Sequence, residues 1–264
     1  MCGRYVVISK IVEIEERFNV KSVGPFQPSY NIGPGSKAPV ITDKEPGKLQ
    51  FFQFGLTPFW AKKKLYFFNA RAEGDRNKEN DPGYSGGMGI VKKPAFRKAI
   101  RSQRCLVVAD CFIEGTTKEK LDKPHVVHLG KGKRPFAFAG IWDEWVDQET
   151  GEILQSFAII TTIPNNLLQK IPHHRSPVIL PREMEEKWLD KSLPLSEVTA
   201  MLGPWEGEGM NAYPISTAIK NPRNNTPDLL KPIGEPILGS TEMKIEQKLI
   251  LEGMGYSRAR ENGS

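Results

Sequence analysis

Between positions 104 and 162 the chain carries four runs, RCLVVADC, HVVHL, FAFAGIW and LQSFAIITT, made largely of β-branched, aromatic and small residues. Runs of this kind form the strands of a central antiparallel sheet, and they set the frame into which everything else must fit. Shorter strands are expected at CGRYVVI, PVIT, LQFFQF and NAYPI. Helices intermingle with them: SKIVEIEERFNV places Ile11, Val12, Ile14 and Phe18 at near-helical spacing, and KPAFRKAIRSQ and REMEEKWLD read the same way. Mixed elements without an internal repeat predict an α+β fold.

The connections are rich in Gly, Pro, Ser and Asn. SVGPFQPSYNIGPGSKAP reads as a turn-dense link and DPGYSGGMG as a mobile loop. At 264 residues the chain is long enough for one large core, and composition does not break before about residue 233. One domain over 1–233 is therefore expected. An extension over 234–264 follows, in which TEMKIEQKLILEGMG suggests an appended amphipathic helix with a polar, disordered end.

No stretch approaches the apolar length of a membrane span, and the start lacks a signal-peptide layout, so a soluble intracellular protein with no membrane partner is expected. Cys2, Cys105 and Cys111 give no even disulfide framework. Lys plus Arg outnumber Asp plus Glu by 37 to 31, which is compatible with a polyanionic partner without singling one out. His125 and His128, three apart in a strand, face opposite ways and cannot share a metal. Cys105 and Cys111 lack the paired short spacings of a zinc site and read as buried structural thiols. Phosphate-loop, dinucleotide and zinc-protease motifs are all missing, so no cofactor and no metal is expected.

Four segments carry candidate chemistry. MCGRYVV puts Cys2 directly behind the initiator. Removal of Met1, favoured by a small second residue, would leave an amine and a thiol on adjacent carbons, a pair that closes an aldehyde first into an imine and then into a thiazolidine. In a frayed terminus the same cysteine would be incidental. FFNARAEGD sets Asn69, Arg71 and Glu73 on alternate residues after an apolar pair, so an extended chain would line a cleft with them. VVADCFIEG presents Glu114 between Ile113 and Gly115, either as a carboxyl with a raised pKa suited to general acid work or as a strand end pointing into water. IPHHRSPVIL brings His173, His174 and Arg175 together before an apolar strand, offering an imidazole for proton transfer and a guanidinium fork for phosphate.

MCGRY, YNIGPG, GLTPFWAK, NARAE, ADCFIEG, AFAGIW, IITT, HHRSPVIL and YPISTAIKNPRNNTPDLL occur in an order and spacing that resemble the SOS response-associated peptidase (SRAP) family over roughly residues 1–233. The resemblance implies a single α+β domain around a barrel-like, mainly antiparallel sheet with flanking helices. It implies a cytoplasmic, monomeric protein whose basic groove holds single-stranded DNA containing abasic sites, nucleoid-associated when bound. Met1 would be removed, by self-processing or by an aminopeptidase, and Cys2 would cross-link to the abasic site and shield it. Carried over by motif, Cys2 is the nucleophile, Asn69 positions its amine, Glu114 is the acidic catalyst and His173 its neighbour. Arg4, Arg71 and Arg175 match phosphate contacts, and Pro34 and Trp60 match positions beside the bases.

Two departures stand out. Gly115 replaces an aromatic that often follows the glutamate, and Phe54 replaces a common Trp. Two rival functions remain open at this stage: an N-terminal-nucleophile cysteine amidohydrolase or peptidase, and a non-catalytic single-strand-binding module.

Overall fold

The computed structural model describes residues 3–130 and 132–239, so Cys2 and the segment 241–255 lie outside the described residues. In chain order the strands are β1 (Arg4–Val7), β2 (Lys21–Ser22), β3 (Ser29–Ile32), β4 (Lys37–Thr42), β5 (Glu45–Phe54), β6 (Asn69–Arg71), β7 (Arg104–Ala109), β8 (Cys111–Thr116), β9 (Lys120–His128), β10 (Phe136–Val146), β11 (Ile153–Thr162), β12 (Ser176–Pro177), β13 (Ile179–Leu180) and β14 (Asn211–Pro214). The helices are α1 (Ile11–Phe18), α2 (Ala99–Ser102), α3 (Asn166–Lys170), α4 (Arg182–Leu189) and α5 (Leu195–Ala200).

Strands β5, β4, β7, β10 and β11 follow one another antiparallel, and β11 returns to β5 in a parallel pairing, Ser156 opposite Gln53 and Phe157 opposite Phe54. That last pairing closes a five-stranded barrel, which leaves no edge among these strands. The α+β barrel expected from the sequence is thus the observed fold. Inside it Phe54, Phe138 and Phe157 are buried, and the Phe54 and Phe157 rings stack with centroids 5.3 Å apart.

A second sheet, ordered β14, β9, β8, β1, β3, lies against the barrel. Its strands alternate as a sheet covered on both faces must. Tyr5, Val7, Phe112 and Val127 join the barrel core, while Val6, Cys111, Ile113 and Val126 join a smaller core with Tyr213, Ile219 and Leu230. Tyr5 meets Phe54 and Phe138 edge-on at 5.4 and 6.0 Å, locking the two layers together.

RCLVVADC, read as one strand, is two. Asp110 interrupts it, and its carboxylate accepts the Ile8 and Ser9 amides (2.6 and 2.7 Å) and the Ser9 hydroxyl (2.6 Å). Chain on one side of Asp110 belongs to the barrel and chain on the other to the second sheet, so a single polar residue routes β8 and Glu114 away from the barrel wall. Cys105 and Cys111, on either side of the break, are both buried.

Helix α1 forms where its apolar spacing places it. The Lys10 amide is capped by Glu13 (2.8 Å), and Asn19 ends it in the left-handed region with φ 52°. Arg17 forks onto Glu185 of α4 at 3.0 and 2.7 Å. The basic segment KPAFRKAIRSQ is helical only over α2, with turns before it. Beyond Ile233 the chain stays on the same body: the Ile237 amide donates to Ala212 (2.8 Å), and Leu238 exchanges two bonds with the Asn211 side chain. No helix among the described residues is long and apolar enough to cross a membrane.

Candidate active site

Glu114 shares the face of β8 that carries Phe112 into the barrel core, at the end of the strand where that core runs out. Its side chain is turned inward and the residue is 2 % exposed, which settles the choice between an inward carboxyl and a solvated strand end. Burial raises its pKa to about 7. His173 arrives from the loop after α3 and places Nε2 3.2 Å from the Glu114 carboxylate oxygen Oε2. Its Nδ1 lies 2.6 Å from the Gly115 carbonyl. A carbonyl only accepts, so Nδ1 carries the hydrogen and a neutral ring presents its Nε2 lone pair to Glu114. Burial lowers the His173 pKa to about 4, and the nearby Arg175 charge adds to this, against the Gly115 bond. Between about pH 4 and 7 the pair therefore holds a carboxylic acid donating to a neutral imidazole. That is the protonation state a general acid needs near neutrality.

Gly115 is structurally required where it stands. The β8–β9 register slips between Glu114 and Thr116, and a Cβ at Gly115 would overlap the Lys120 carbonyl. The aromatic expected here from the resemblance is thus replaced by a backbone contact that also anchors His173. Opposite, Thr117 touches His174 (Oγ1 to Nδ1, 2.7 Å), and the Thr117 amide donates to Pro172 (2.9 Å), so the β8–β9 turn is tied to the loop carrying the histidines.

Around this pair opens a cleft of about 370 Å³ whose walls include Gly3, Arg4, Pro34, Phe68, Thr117 and His174. Gly3, the first described residue, lines the same cleft as Glu114 and His173. Arg4 is half-buried, and its guanidinium packs on Gly33, where any side chain would collide with it. Pro34 sits at the exposed tip of a turn closed by the Ser36 amide to the Gly33 carbonyl (3.0 Å), and Gly35 supplies the φ of 94° that such a turn requires. Asn69 opens β6, directly after the cleft residue Phe68. Both its side-chain amide atoms are shielded and have no hydrogen-bond partner among the described residues.

Three sequence expectations are placed differently. The alternate-residue face of Asn69, Arg71 and Glu73 ends at Arg71, where β6 gives way to a turn, and Glu73 is buried beneath it. Glu73 receives Arg175 Nη2 at 2.8 Å and the Thr162 hydroxyl at 3.2 Å. Arg175, expected as a phosphate contact, is 1 % exposed and committed to Glu73 and to the Thr161 carbonyl (2.7 Å). Arg71 stays half-buried, bonded to Asn77 and Asn80. Trp60 is 48 % exposed but does not line this cleft; it sits with Phe59, Arg97 and Lys98 in a separate shallow basin, with the Lys98 ammonium 4.1 Å from the Phe59 ring. Thr117 and the Gly115 carbonyl take part in the site without having been assigned to it from the sequence. Glu73, expected to line a cleft with Asn69 and Arg71, instead holds Arg175 beneath it. Among the described residues no group of His, Cys, Asp and Glu is arranged to hold a metal ion.

A closed barrel, a second sheet on its flank and a buried carboxyl–imidazole pair in a cleft lined by Gly3 and Arg4 define an α+β protein with one well-formed candidate site among the described residues. The chain belongs to the SOS response associated peptidase (SRAP) family, whose model matches residues 1–222. It is 35 % identical over 240 residues to the abasic site processing protein YoqW of Bacillus subtilis (strain 168), covering 88 % of this chain and 99 % of that one. It is 28 % identical over 274 residues to the abasic site processing protein HMCES of Gallus gallus, covering 91 % of this chain and 76 % of that one. Among solved structures, a Bacteroides thetaiotaomicron protein superposes with a TM-score of 0.73 at 29 % identity over 88 % of this chain and 99 % of that one.

Proposed function

We propose that this protein captures abasic sites in single-stranded DNA by closing a thiazolidine between Cys2 and the ring-opened sugar aldehyde, after loss of Met1. The observation that carries the reading is the Glu114–His173 pair, protonated near neutrality and lying in one cleft with Gly3, the residue that follows Cys2. The abasic sugar is mainly a closed hemiacetal, and opening it moves one proton from the hydroxyl to the ring oxygen, a transfer suited to a carboxyl–imidazole pair. The Cys2 amine then adds to the aldehyde carbon. The resulting carbinolamine loses its hydroxyl as water, protonated by Glu114, to give the imine. The Cys2 thiolate adds to that carbon and the nitrogen keeps one proton, so the sum is one C–N bond and one C–S bond formed and one water released, with no change of oxidation state. The names of the relatives support abasic DNA as the target, and Arg4 and Arg71 give the cleft and its margin the charge that backbone phosphates require.

The test mixes the protein with a single strand carrying one abasic site. Wild type should give an adduct that survives denaturing electrophoresis without reductant, whereas Cys2→Ala should give one only after borohydride. A durable adduct from Cys2→Ala without reductant refutes the thiazolidine.

A further inference from the structure

On the body of the protein a groove of about 710 Å³ runs between α4, α5 and the segment 203–207, with Leu180, Met184, Leu193, Met201, Pro204 and Trp205 among its walls. Met184, Leu193, Met201 and Trp205 are half-buried, and the last three pack against the core on one side. Methionine thioethers and an indole adapt to an apolar segment laid against them. The Trp205 indole N–H is shielded and has no acceptor among the described residues. Its ring lies 5.6 Å from the Lys133 ammonium at the groove's rim.

The described chain ends against β14, the strand that follows the groove-wall segment 203–207 in sequence. Leu238 is held by the Asn211 side chain through both its amide (3.0 Å) and its carbonyl (2.9 Å). Met210, next to Asn211, and Trp205, in the groove wall, meet at one side chain: Asn165 Nδ2 lies 3.0 Å from the Met210 sulfur and 3.3 Å from the Trp205 carbonyl. The last described residues are therefore held at Asn211, four positions beyond Gly207 of the groove wall. Ile245 stands six positions beyond Gly239, a reach of about 20 Å when extended. Met243, Ile250, Leu251 and Met254 fall on one side of a helix drawn through TEMKIEQKLILEGMG.

We infer that this groove is the docking site of the chain's own segment 241–255. The tether selects this occupant over a second copy: a short link holds the segment at an effective concentration of about 1 mM, far above that of free protein, so even a weak apolar contact is made within one molecule. Docking covers the methionines and Trp205 and offers the indole a backbone carbonyl. The site lies apart from the Glu114 cleft, sharing none of its lining residues, so the inference does not depend on the proposed chemistry.

Hydrogen exchange on the full chain tests it, comparing wild type with Ile250→Asp/Leu251→Asp, a change that alters no residue of the described body. For a docking constant of about 0.1 mM at that effective concentration, amides of 195–206 should exchange roughly tenfold faster in the variant, with the barrel strands unchanged. Cross-linking to abasic DNA should be the same in both. Equal exchange in the two proteins overturns the inference. Groove protection that rises with protein concentration, together with dimers in sedimentation, overturns it in favour of a second copy. Faster exchange spread over the barrel as well would show general loosening and overturns it too.

Discussion

Replacing Glu114 by Gln should slow the reaction and, above neutral pH, make the protein more stable. The pKa of Glu114 is raised from its ordinary 4.5 to about 7 by burial, so its contribution to stability is fully present below about pH 4.5 and is lost as pH rises through about 7. At 1.36 kcal/mol per unit, the penalty for holding the ionised carboxylate in the folded protein at pH 8 is about 3 kcal/mol. His173 works the other way. Its pKa falls from 6.5 to about 4, so its contribution is present above about pH 6.5 and lost as pH falls through about 4. In the wild type the two trends offset each other between pH 4.5 and 6.5, and stability is flat with respect to this pair.

The carboxamide introduced by Glu114→Gln keeps the shape of the side chain and can donate a hydrogen to His173 Nε2, but it never ionises. The two proteins should therefore match near pH 4.5 and diverge until the variant leads by about 3 kcal/mol at pH 8. His128 and His174, also lowered to about 4 by burial, are common to both proteins and drop out of the difference. Guanidinium unfolding at pH 4.5, 6, 7 and 8 measures the divergence. Cross-linking of an abasic single strand by the same variant should slow by about 10²–10⁴, the usual worth of a general acid. Unfolding curves that stay parallel from pH 4.5 to 8 would refute the burial argument. A wild-type rate would remove Glu114 from the chemistry.

Arg71→Ala should lower the slope of log affinity against log salt for single-stranded DNA by about 0.7, the loss of one phosphate contact, with little change in melting temperature. Arg175→Ala should do the reverse, costing about 3–5 kcal/mol of stability because Glu73 is left buried without its partner; an unchanged melting temperature with a reduced salt slope would place Arg175 on the DNA after all. Gly115→Ala must push the Lys120 carbonyl aside, at about 1–3 kcal/mol for the overpacking, and should slow cross-linking by displacing the acceptor of His173; wild-type stability and rate would show that the close approach at Gly115 does not constrain the site.

The strand runs declared themselves in the sequence because side chains that suit a pleated, buried surface are a local property. FAFAGIW and LQSFAIITT are legible without neighbours, as are the spacing of α1 and the turn at Gly33–Ser36. The aligned motifs were legible for the same reason, since they are strings, and they named Glu114 and His173 together. What one strand cannot reveal is which of its faces meets a core and whether the other does as well. Glu114 read equally well as a buried acid or a solvated strand end until the alternation of β8 between two cores turned it inward beside Phe112. RCLVVADC read as one strand because nothing local shows that Asp110 accepts bonds from Ile8 and Ser9, about a hundred residues back. Arg175 looked like a surface cation because its sequence neighbours are polar, while the partner that draws it inside, Glu73, stands 102 residues away. Residue types and periodicity come from the sequence alone. Burial, and with it charge state and reach, is set by contacts between distant segments, and those exist only once the barrel has closed.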